Sequence, residues 1–225
     1  MSLRVLSDTD RQSKLADDQS KILAQLDGVS KKFNGASHNA LEDINLEVFQ
    51  KDFLSIVGPS GCGKTSLLKM MCGLIKPTSG KIDWPTSNFQ NSPENPANLS
   101  YVFQEPNLLP WMNVYENIKL PLKIVKEDTY SADEKIYEII NLVGLQGFEG
   151  YYPRQLSGGM SMRVSIARAL VTQPKVLLMD EPFSALDETR RFELSQEILK
   201  IKKEKNLTVV YVTPVSYTHL TLPTT

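Results

Sequence analysis

Apolar and polar residues repeat with two periods along this chain, and each period predicts a different kind of element. From Ile44 to Val48 they alternate with period two, which predicts a strand with one buried face. Four short apolar runs are typical of buried strands in a parallel sheet. They are Phe53–Val57, Leu99–Phe103, Val176–Met179 and Leu207–Thr213. Helical segments alternate with the later runs, which indicates an α/β fold.

Helical periodicity marks further segments. Apolar residues recur at positions 67, 68, 71 and 75, which predicts a helix that begins near Lys64. Ser131–Glu134 fits a capping box and predicts the start of another helix, with Gly144 at its end. The apolar stripe of that helix is Ile136, Ile139, Ile140 and Val143. The stretch from Glu105 to Gln155 is mostly helical, so we expect a helical insert, whereas Asp83–Asn98 predicts a loop.

Composition and charge narrow the possible function classes. The net charge is −1 over 225 residues, so no basic field points to a nucleic acid partner. We interpret the Lys-rich run Lys200–Lys205 as a solvated helix end rather than a binding patch. No apolar stretch reaches the roughly 18 residues that would cross a bilayer. Met1–Ser20 is polar without a signal-peptide core, so we expect a flexible extension there and any membrane contact through a partner.

The most informative segment is Gly58–Thr65, which fits the P-loop pattern G-x-x-x-x-G-K-[ST]. It follows a predicted strand and precedes a predicted helix, as a phosphate-cradling loop requires. Glycines let successive backbone amides point inward, and the helix N-terminus adds the positive end of its dipole. The sequence therefore predicts a nucleoside triphosphate site. Its expected binding residues are Gly58, Ser60, Gly61, Cys62, Gly63, Lys64, Thr65 and Ser66.

Two side chains of this loop have specific predicted roles. Lys64 should reach the β- and γ-phosphates, and the Thr65 hydroxyl should ligate Mg²⁺. Cys62 has two open interpretations, a reactive thiol at a helix N-terminus or a small residue that fills a tight turn. Cys62 and Cys72 are the two cysteines of the chain and lack metal-ligand spacing, which favours a reducing setting without disulfides.

A second anion site is predicted at Leu156–Met160, where a serine hydroxyl and two glycine amides begin a helix. This segment resembles the signature sequence of ATP-binding cassette (ABC) ATPases, and Arg163–Leu170 is similar to the same family. The resemblance implies that Ser157, Gly158 and Gly159 close over the γ-phosphate held by the P-loop of a second cassette. It therefore implies ATP and Mg²⁺ as cofactors and a second copy of the chain as a partner.

Val176–Glu181 is an apolar strand that ends in two acids and resembles the Walker B motif. An acid at the C-terminal end of a parallel strand lies at the edge where such sheets bind ligands. We expect Asp180 to hold Mg²⁺, directly or through water. We expect Glu181 to be the general base that polarises the attacking water.

Three further positions match the family pattern. Gln104 follows a predicted strand where the family has a glutamine that contacts Mg²⁺ and the attacking water, so it is expected both as a metal ligand and as a catalytic residue. Ser184–Asp187 resembles the loop that crosses the dimer interface, which makes Asp187 a predicted nucleotide-site residue. Phe33 lies where the family stacks an aromatic ring on adenine, although a lone phenylalanine is more often a core residue.

The segment Leu108–Trp111, followed by Asn113–Ile118, resembles cassettes of nitrate, sulfonate and taurine importers. Cassettes for other solutes have similar sequences here. The resemblance implies an ATP-hydrolysing subunit that lies peripherally on the cytoplasmic face of the cell membrane and energises import of a small anionic solute. The expected partners are polytopic permease subunits, moved through the helical insert, and a solute-binding protein.

Two other classes are open alternatives. A soluble ABC ATPase acting on nucleic acid or ribosomes usually carries paired cassettes, long coiled-coil insertions or a basic surface, and this sequence has none of them. A P-loop kinase or GTPase would not carry the signature segment. A truncated, hydrolysis-deficient cassette is a further possibility, because of the C-terminal sequence.

The family has a histidine after the strand that ends here at Thr213, and this chain has Pro214 instead. His219 would substitute only with an inserted loop. The stretch Pro214–Thr225 resembles a translated transposase-type sequencing adapter, and the alternative is a natural divergent tail. We therefore expect residues 214–225 to be non-native and the parent protein to diverge at or just after Thr213.

The resemblance covers roughly residues 22–213 and implies an α/β P-loop NTPase fold of the ABC type. That fold has a mostly parallel sheet core, a helical subdomain insert and an N-terminal antiparallel β region. We expect one nucleotide-binding domain over residues 21–213. Its catalytic core would be residues 21–104 and 156–213, and its helical subdomain residues 105–155.

Overall fold

The computed structural model describes residues 4–7, 22–84, 98–127, 130–184 and 187–213. They belong to two compact units, residues 1–95 with 208–225 and residues 96–207. In chain order the strands are β1 Arg4–Ser7, β2 Ile22–Lys31, β3 Leu41–Phe49, β4 Phe53–Val57, β5 Ser79–Asp83, β6 Leu99–Val102, β7 Val176–Asp180 and β8 Thr208–Thr213. The α-helices are α1 Lys64–Met71, α2 Val114–Ile124, α3 Tyr130–Leu142, α4 Gly158–Leu170 and α5 Glu188–Lys205, and a short 3₁₀ turn spans Pro153–Gln155.

The first unit contains an antiparallel sheet in the order β3-β2-β5. Leu26 of the central strand lies opposite Leu46 on one side and Ile82 on the other. Strand β3 buries Leu46 and Val48, whereas Asn45 is exposed and Glu47 is half-buried, because side chains alternate between the two faces of a strand. The predicted N-terminal antiparallel region and the predicted half-buried strand are both confirmed.

Strand β4 of the same unit pairs in parallel with β8 and antiparallel with β1. Every residue of β8 is buried, and so is β4 up to Ile56. Continuous apolar runs of this kind suit strands that are covered on both faces. The pairing of Arg4–Ser7 with β4 corrects the expectation of a flexible extension for those residues, and the rest of residues 1–20 lies outside the described ranges.

Helix α1 buries Leu67, Leu68 and Met71, as its predicted stripe requires. It is shorter than the spacing indicated, because Gly73 takes a left-handed φ of 76° and turns the chain. Ile75 therefore lies beyond the helix, and its predicted place on the helical stripe is wrong.

In the second unit, β6 and β7 pair in parallel, with Tyr101 opposite Leu178. Helix α3 buries Ile136, Ile139 and Ile140 of its predicted stripe, and Val143, one residue beyond its end, is buried as well. Gly144 ends this region with φ 67°, and its amide bonds to the Asn141 carbonyl at 3.1 Å. The predicted cap at Ser131 is wrong, because the chain is already helical at Tyr130 and a cap residue has non-helical torsions.

Helix α2 begins with a capping box that the sequence reasoning missed. The Asn113 side chain accepts from the Glu116 amide at 2.8 Å, and the Glu116 carboxylate accepts from the Asn113 amide at 2.9 Å. One turn later the fully buried Asn117 amide group bonds to both the N–H and the carbonyl of Leu109. These bonds fix the loop that presents Trp111, whose side chain is 69% exposed.

Both α2 and α3 lie within residues 105–155, the predicted helical insert, while the domain limits given above stay a prediction. Most of the predicted loop Asp83–Asn98 lies outside the described ranges. Among the described residues, no helix combines the length and the apolar character needed to cross a membrane.

Candidate functional site

The P-loop between β4 and α1 depends on glycine at two positions. Gly61 and Gly63 have φ values of 79° and 98°, which only glycine adopts readily. A Cβ on Gly63 would also stand 2.5 Å from the Ala40 carbonyl oxygen and 2.8 Å from the Leu41 side chain, whereas one on Gly61 would meet nothing within 4 Å. Torsion alone therefore requires the first glycine, and torsion and space together require the second.

Gly58 begins this loop and lies close to the Cys62 side chain. A Cβ on Gly58 would stand 2.6 Å from the Cys62 sulfur, so the thiol fills the space that the glycine leaves. The Cys62 amide donates to the Pro59 carbonyl at 3.3 Å and closes the turn. This packing favours the interpretation of Cys62 as a small residue in a tight turn, while its reactivity stays a prediction.

Lys64 is the first residue of α1 and is 3% exposed. Its Nζ donates to the carbonyls of Gly58 and Pro59 at 2.8 and 2.9 Å, because a buried ammonium needs acceptors. The Leu67 amide bonds to the Gly63 carbonyl at 2.9 Å and begins the helix. The loop thus wraps around its own lysine, whose ammonium is held by two loop carbonyls.

The residues present here fit a phosphate group and its metal. An ammonium, a helix N-terminus and glycine torsions are the features that bind phosphates, and the Thr65 hydroxyl is a hard oxygen donor of the kind Mg²⁺ takes. Thr65 and Ser66 are half-buried in the first turn of α1, and Ser60 is exposed on the loop. Their individual roles in binding stay predictions.

Phe33 follows β2 and is 44% exposed, so it is not a core residue. The Lys31 Nζ lies 5.3 Å from the centre of its ring and donates to the Lys76 carbonyl at 2.6 Å. One face of the ring therefore carries a cation–π contact. Stacking of adenine on the ring stays a prediction.

In the second unit, Asp180 ends β7 with its side chain 4% exposed. The Tyr101 hydroxyl donates to Asp180 Oδ2 at 2.9 Å. A buried carboxylate needs such donors because burial removes its water. The carboxylate is also a hard oxygen ligand, which fits the predicted Mg²⁺ site.

The turn after β7 brings two predicted catalytic residues together. Glu181 has φ 46°, an uncommon left-handed backbone, and its carbonyl accepts from the Ser184 amide at 3.1 Å. Gln104 lies two residues beyond the end of β6, and its side chain donates from Nε2 to the Ser184 hydroxyl at 3.3 Å. We call Gln104, Asp180, Glu181 and Ser184 the carboxylate edge.

The signature segment forms the start of α4. Ser157 is the N-cap, and its Oγ accepts from the Met160 amide at 3.2 Å while its hydroxyl hydrogen can still donate. Gly158 and Gly159 are the first two residues of the helix. The geometry fits the predicted second anion site, and closure over the nucleotide of another copy stays a prediction.

Asp187 is exposed just before α5, and its carbonyl accepts from the Arg191 amide at 3.0 Å. The Arg191 side chain donates to the Phe183 carbonyl at 3.0 Å, which ties the start of α5 to the turn after β7. Residues 185 and 186 of the predicted interface loop lie outside the described ranges, as do His219 and the rest of residues 214–225.

Sequence reasoning missed Tyr101, Ser184 and Arg168. Arg168 on α4 donates to the carbonyls of Pro106 and Asn107 at 2.8 and 2.9 Å, and burial lowers the pKa of its guanidinium. Tyr101 lies in a predicted strand, but its place beside the strand that ends in Asp180 depends on the pairing of β6 with β7. Arg168 and Ser184 lie in the family-like segments Arg163–Leu170 and Ser184–Asp187, and the sequence gave their side chains no role of their own.

Within the described ranges no group of three or more His, Cys, Asp or Glu side chains is placed to hold a metal. The Asp180 carboxylate and the Thr65 hydroxyl are hard oxygen groups, and their predicted role as Mg²⁺ ligands stays a prediction. Mg²⁺ keeps several waters and takes substrate phosphates besides one or two carboxylates, so a sparse protein ligand set fits that ion.

Comparison with known proteins supports a common origin for these features. The family model described as ABC transporter matches residues 41–184. The spermidine/putrescine import ATP-binding protein of Fusobacterium nucleatum is 44% identical, over 82% of this chain and 49% of its own length. The aliphatic sulfonates import ATP-binding protein of Bacillus cereus is 42% identical, over 85% of this chain and 75% of its own length.

Solved structures agree with this similarity. The ATP-binding cassette MJ0796, in a dimeric post-hydrolysis state bound to ADP and Pi, superposes with a TM-score of 0.73 at 32% identity, covering 84% of this chain and 87% of that one. The chain therefore spans most of that cassette, but it spans only about half the length of the spermidine/putrescine relative, at 49%.

Proposed function

We propose that this chain, which belongs to the ABC transporter family as an ATP-binding cassette, binds and hydrolyses ATP to drive transport of a solute. The observation that carries this proposal is the P-loop, in which Lys64 is held inside the loop at the start of α1. The relative that superposes on most of the chain is itself bound to ADP and Pi.

In the proposed reaction, Lys64 and the first amides of α1 bind the β- and γ-phosphates. Thr65, Asp180 and Gln104 are the residues that would hold Mg²⁺. When bound, the metal neutralises charge on the phosphate oxygens. Glu181 accepts a proton from water as the water oxygen attacks the γ-phosphorus, and the bond to ADP breaks.

We infer that two copies of the chain act together. Ser157, Gly158 and Gly159 would complete the phosphate site of the other copy, and Asp187 would lie near that interface. Support comes from the exposed N-terminus of α4, with Ser157 as its cap, and from the dimeric state of the MJ0796 cassette. Phe33 would contact the adenine through the ring face that Lys31 leaves open.

We infer that the chain lies on the cytoplasmic face of the membrane, docked on permease subunits, with a solute-binding protein delivering the solute. The exposed Trp111, held by the buried Asn117 on α2, supplies an apolar contact for such a subunit. A small anionic solute such as nitrate, sulfonate or taurine is favoured by the Leu108–Trp111 segment and by the aliphatic sulfonates relative.

A polyamine is the second candidate solute, because the relative named for spermidine and putrescine import is 44% identical. A cassette contributes energy rather than solute contacts, so the two candidates differ in the permease with which this chain pairs. Co-purification of the chain with either class of permease, followed by ATPase assays in the presence of each solute, distinguishes them. Stimulation by spermidine alone would contradict the anionic assignment.

The ATPase proposal is tested with two substitutions and one control variant in the full chain. Lys64→Ala should reduce affinity for ATP at least tenfold, whereas Lys69→Ala, on the same helix but away from the loop, should leave it unchanged. Glu181→Gln should bind ATP and form a stable dimer, detected by size-exclusion chromatography with light scattering. Equal ATP binding by the Lys64→Ala and Lys69→Ala variants would overturn the proposal.

A further inference from the structure

The Asp180 carboxylate receives a hydrogen bond from a residue of the neighbouring strand. The Tyr101 hydroxyl donates to Oδ2 at 2.9 Å, and the two residues are 79 positions apart in the chain. Asp180 is buried and Tyr101 is half-buried. The bond therefore joins β6 to the last residue of β7.

The register of the two strands explains why this tyrosine can reach that acid. Tyr101 lies opposite Leu178, and Asp180 is two residues further along β7. Side chains two positions apart lie on the same face of a strand, so Tyr101 and Asp180 share one face. A long side chain that leans along the strand direction spans the remaining distance.

The Tyr101 ring is itself held in place. Its centre lies 4.5 Å from that of Phe103, the next side chain on the same face. This ring contact supports the orientation of Tyr101, and the hydrogen bond from its hydroxyl restrains rotation of the Asp180 carboxylate. Groups that orient a metal ligand in this way typically change metal affinity 10- to 100-fold when removed.

We propose, on the basis of the ATP-binding function above, that Tyr101 is a positioning residue that sets the Asp180 carboxylate for Mg²⁺. It acts through Asp180 and contacts neither the nucleotide nor the reacting atoms. Because the Tyr101 hydroxyl already orders the Asp180 carboxylate, the metal does not have to orient it on binding.

The same unit contains a matched control. The Tyr115 hydroxyl donates to the Asp133 carboxylate, which also bonds to Lys119 Nζ at 3.2 Å. This pair joins α2 to α3, and neither residue belongs to the carboxylate edge. Tyr101→Phe and Tyr115→Phe each remove one hydroxyl that bonds a carboxylate and keep the aromatic ring.

The experiment measures binding of a fluorescent ATP analogue to the full chain, first in EDTA and then across a Mg²⁺ titration. Tyr101→Phe should raise the Mg²⁺ concentration for half-saturation roughly tenfold, with nucleotide affinity in EDTA unchanged. Tyr115→Phe should change neither quantity. A merely structural role for Tyr101 would instead weaken nucleotide binding with and without metal.

Asp180→Asn separates this inference from the proposed function. If Asp180→Asn abolishes the Mg²⁺ dependence while Tyr101→Phe leaves it at the wild-type value, the positioning role is wrong and the metal site stands. If Asp180→Asn itself has no effect on Mg²⁺ dependence, the assigned metal ligand is wrong.

Circular dichroism of each variant identifies misfolding. Should Tyr101→Phe misfold, Tyr101→His supplies a shorter ring whose donor does not reach Asp180, so it should also raise the Mg²⁺ concentration for half-saturation roughly tenfold, and an unchanged Mg²⁺ dependence there would overturn the role.

Discussion

The P-loop and the carboxylate edge are predicted to handle the same phosphate chemistry, but they are built in different ways. In the P-loop, glycine torsions and the carbonyls of Gly58 and Pro59 hold Lys64, all within a few consecutive residues. At the carboxylate edge, side chains hold side chains, and the partners of Asp180 and Gln104 are 79 and 80 positions away. Local sequence can specify the first arrangement alone, whereas the second exists only when strands and turns have come together.

The largest effect should come from breaking the local arrangement. Gly63→Ala would place a methyl group 2.5 Å from the Ala40 carbonyl, a backbone atom that cannot rotate away. With the left-handed torsion added, we expect a loss of more than about 3 kcal/mol in the free energy of unfolding. Denaturant titration measures the stability, and ATP binding should be lost with it.

Gly61→Ala is the matched control, because a methyl group there would meet nothing within 4 Å. It carries only the torsional cost, about 1–2 kcal/mol. Equal losses for the two variants would show that the contact with Ala40 plays no part.

The next effect sharpens the contrast in the segment that directly follows Gln104 of the carboxylate edge. Arg168→Lys keeps the charge but loses the fork of donors that bonds the carbonyls of Pro106 and Asn107. Charged hydrogen bonds contribute about 2 kcal/mol, so amide exchange in residues 104–109 should rise roughly 10- to 30-fold. Hydrogen-exchange mass spectrometry measures the change.

Arg163→Lys is the control for that variant on the same helix. Its guanidinium donates to the Val143 carbonyl at 2.6 Å and to Glu197 at 2.7 Å, away from Gln104. Exchange should then rise at the end of α3 and stay unchanged after Gln104. A rise after Gln104 in both variants would mean that α4 is loosened as a whole.

A smaller effect should come from one hydrogen bond of the carboxylate edge. Ser184→Ala removes the acceptor of the Gln104 side chain, a net contribution of about 1 kcal/mol. We expect kcat to fall about fivefold with KM for ATP unchanged, because the P-loop is untouched. Ser195→Ala is the control, since that hydroxyl donates to the Arg191 carbonyl of its own helix at 2.8 Å. An unchanged kcat in Ser184→Ala would show that the orientation of Gln104 by Ser184 does not contribute to turnover.

The smallest effect concerns an ion pair outside both regions. Hydrogen bonds from Tyr115 and then Lys119 lower the pKa of Asp133 below its ordinary value. A depressed folded-state pKa gives stability that is present above the unfolded value and lost as pH falls through the folded one. Asp133→Asn should therefore lower stability slightly at pH 7 and make little difference well below about pH 4, as thermal melts of both proteins at each pH would show.

The sequence predicted the elements and residues that depend on local pattern. The glycines of the P-loop, the apolar strands β4, β7 and β8, and the stripe of α3 follow from spacing alone. The cap at Ser131 and the helical place of Ile75 were wrong, because a helix end is set by the torsions of one or two residues. Tyr101 was missed for a different reason, since its importance depends on the register between β6 and β7, which no local pattern contains.

At Glu181 the backbone favours a different residue from the one that the chemistry needs. A side chain other than glycine at φ 46° costs on the order of 1 kcal/mol, whereas glycine or asparagine takes that torsion with little strain. Substitution of Glu181 by glycine or asparagine relaxes the turn but removes the proposed base. Selection for abundance alone would therefore favour that substitution. A library screened only for soluble expression should accumulate variants with glycine or asparagine at position 181, which fold well but do not hydrolyse ATP. A screen for turnover should reject the same variants.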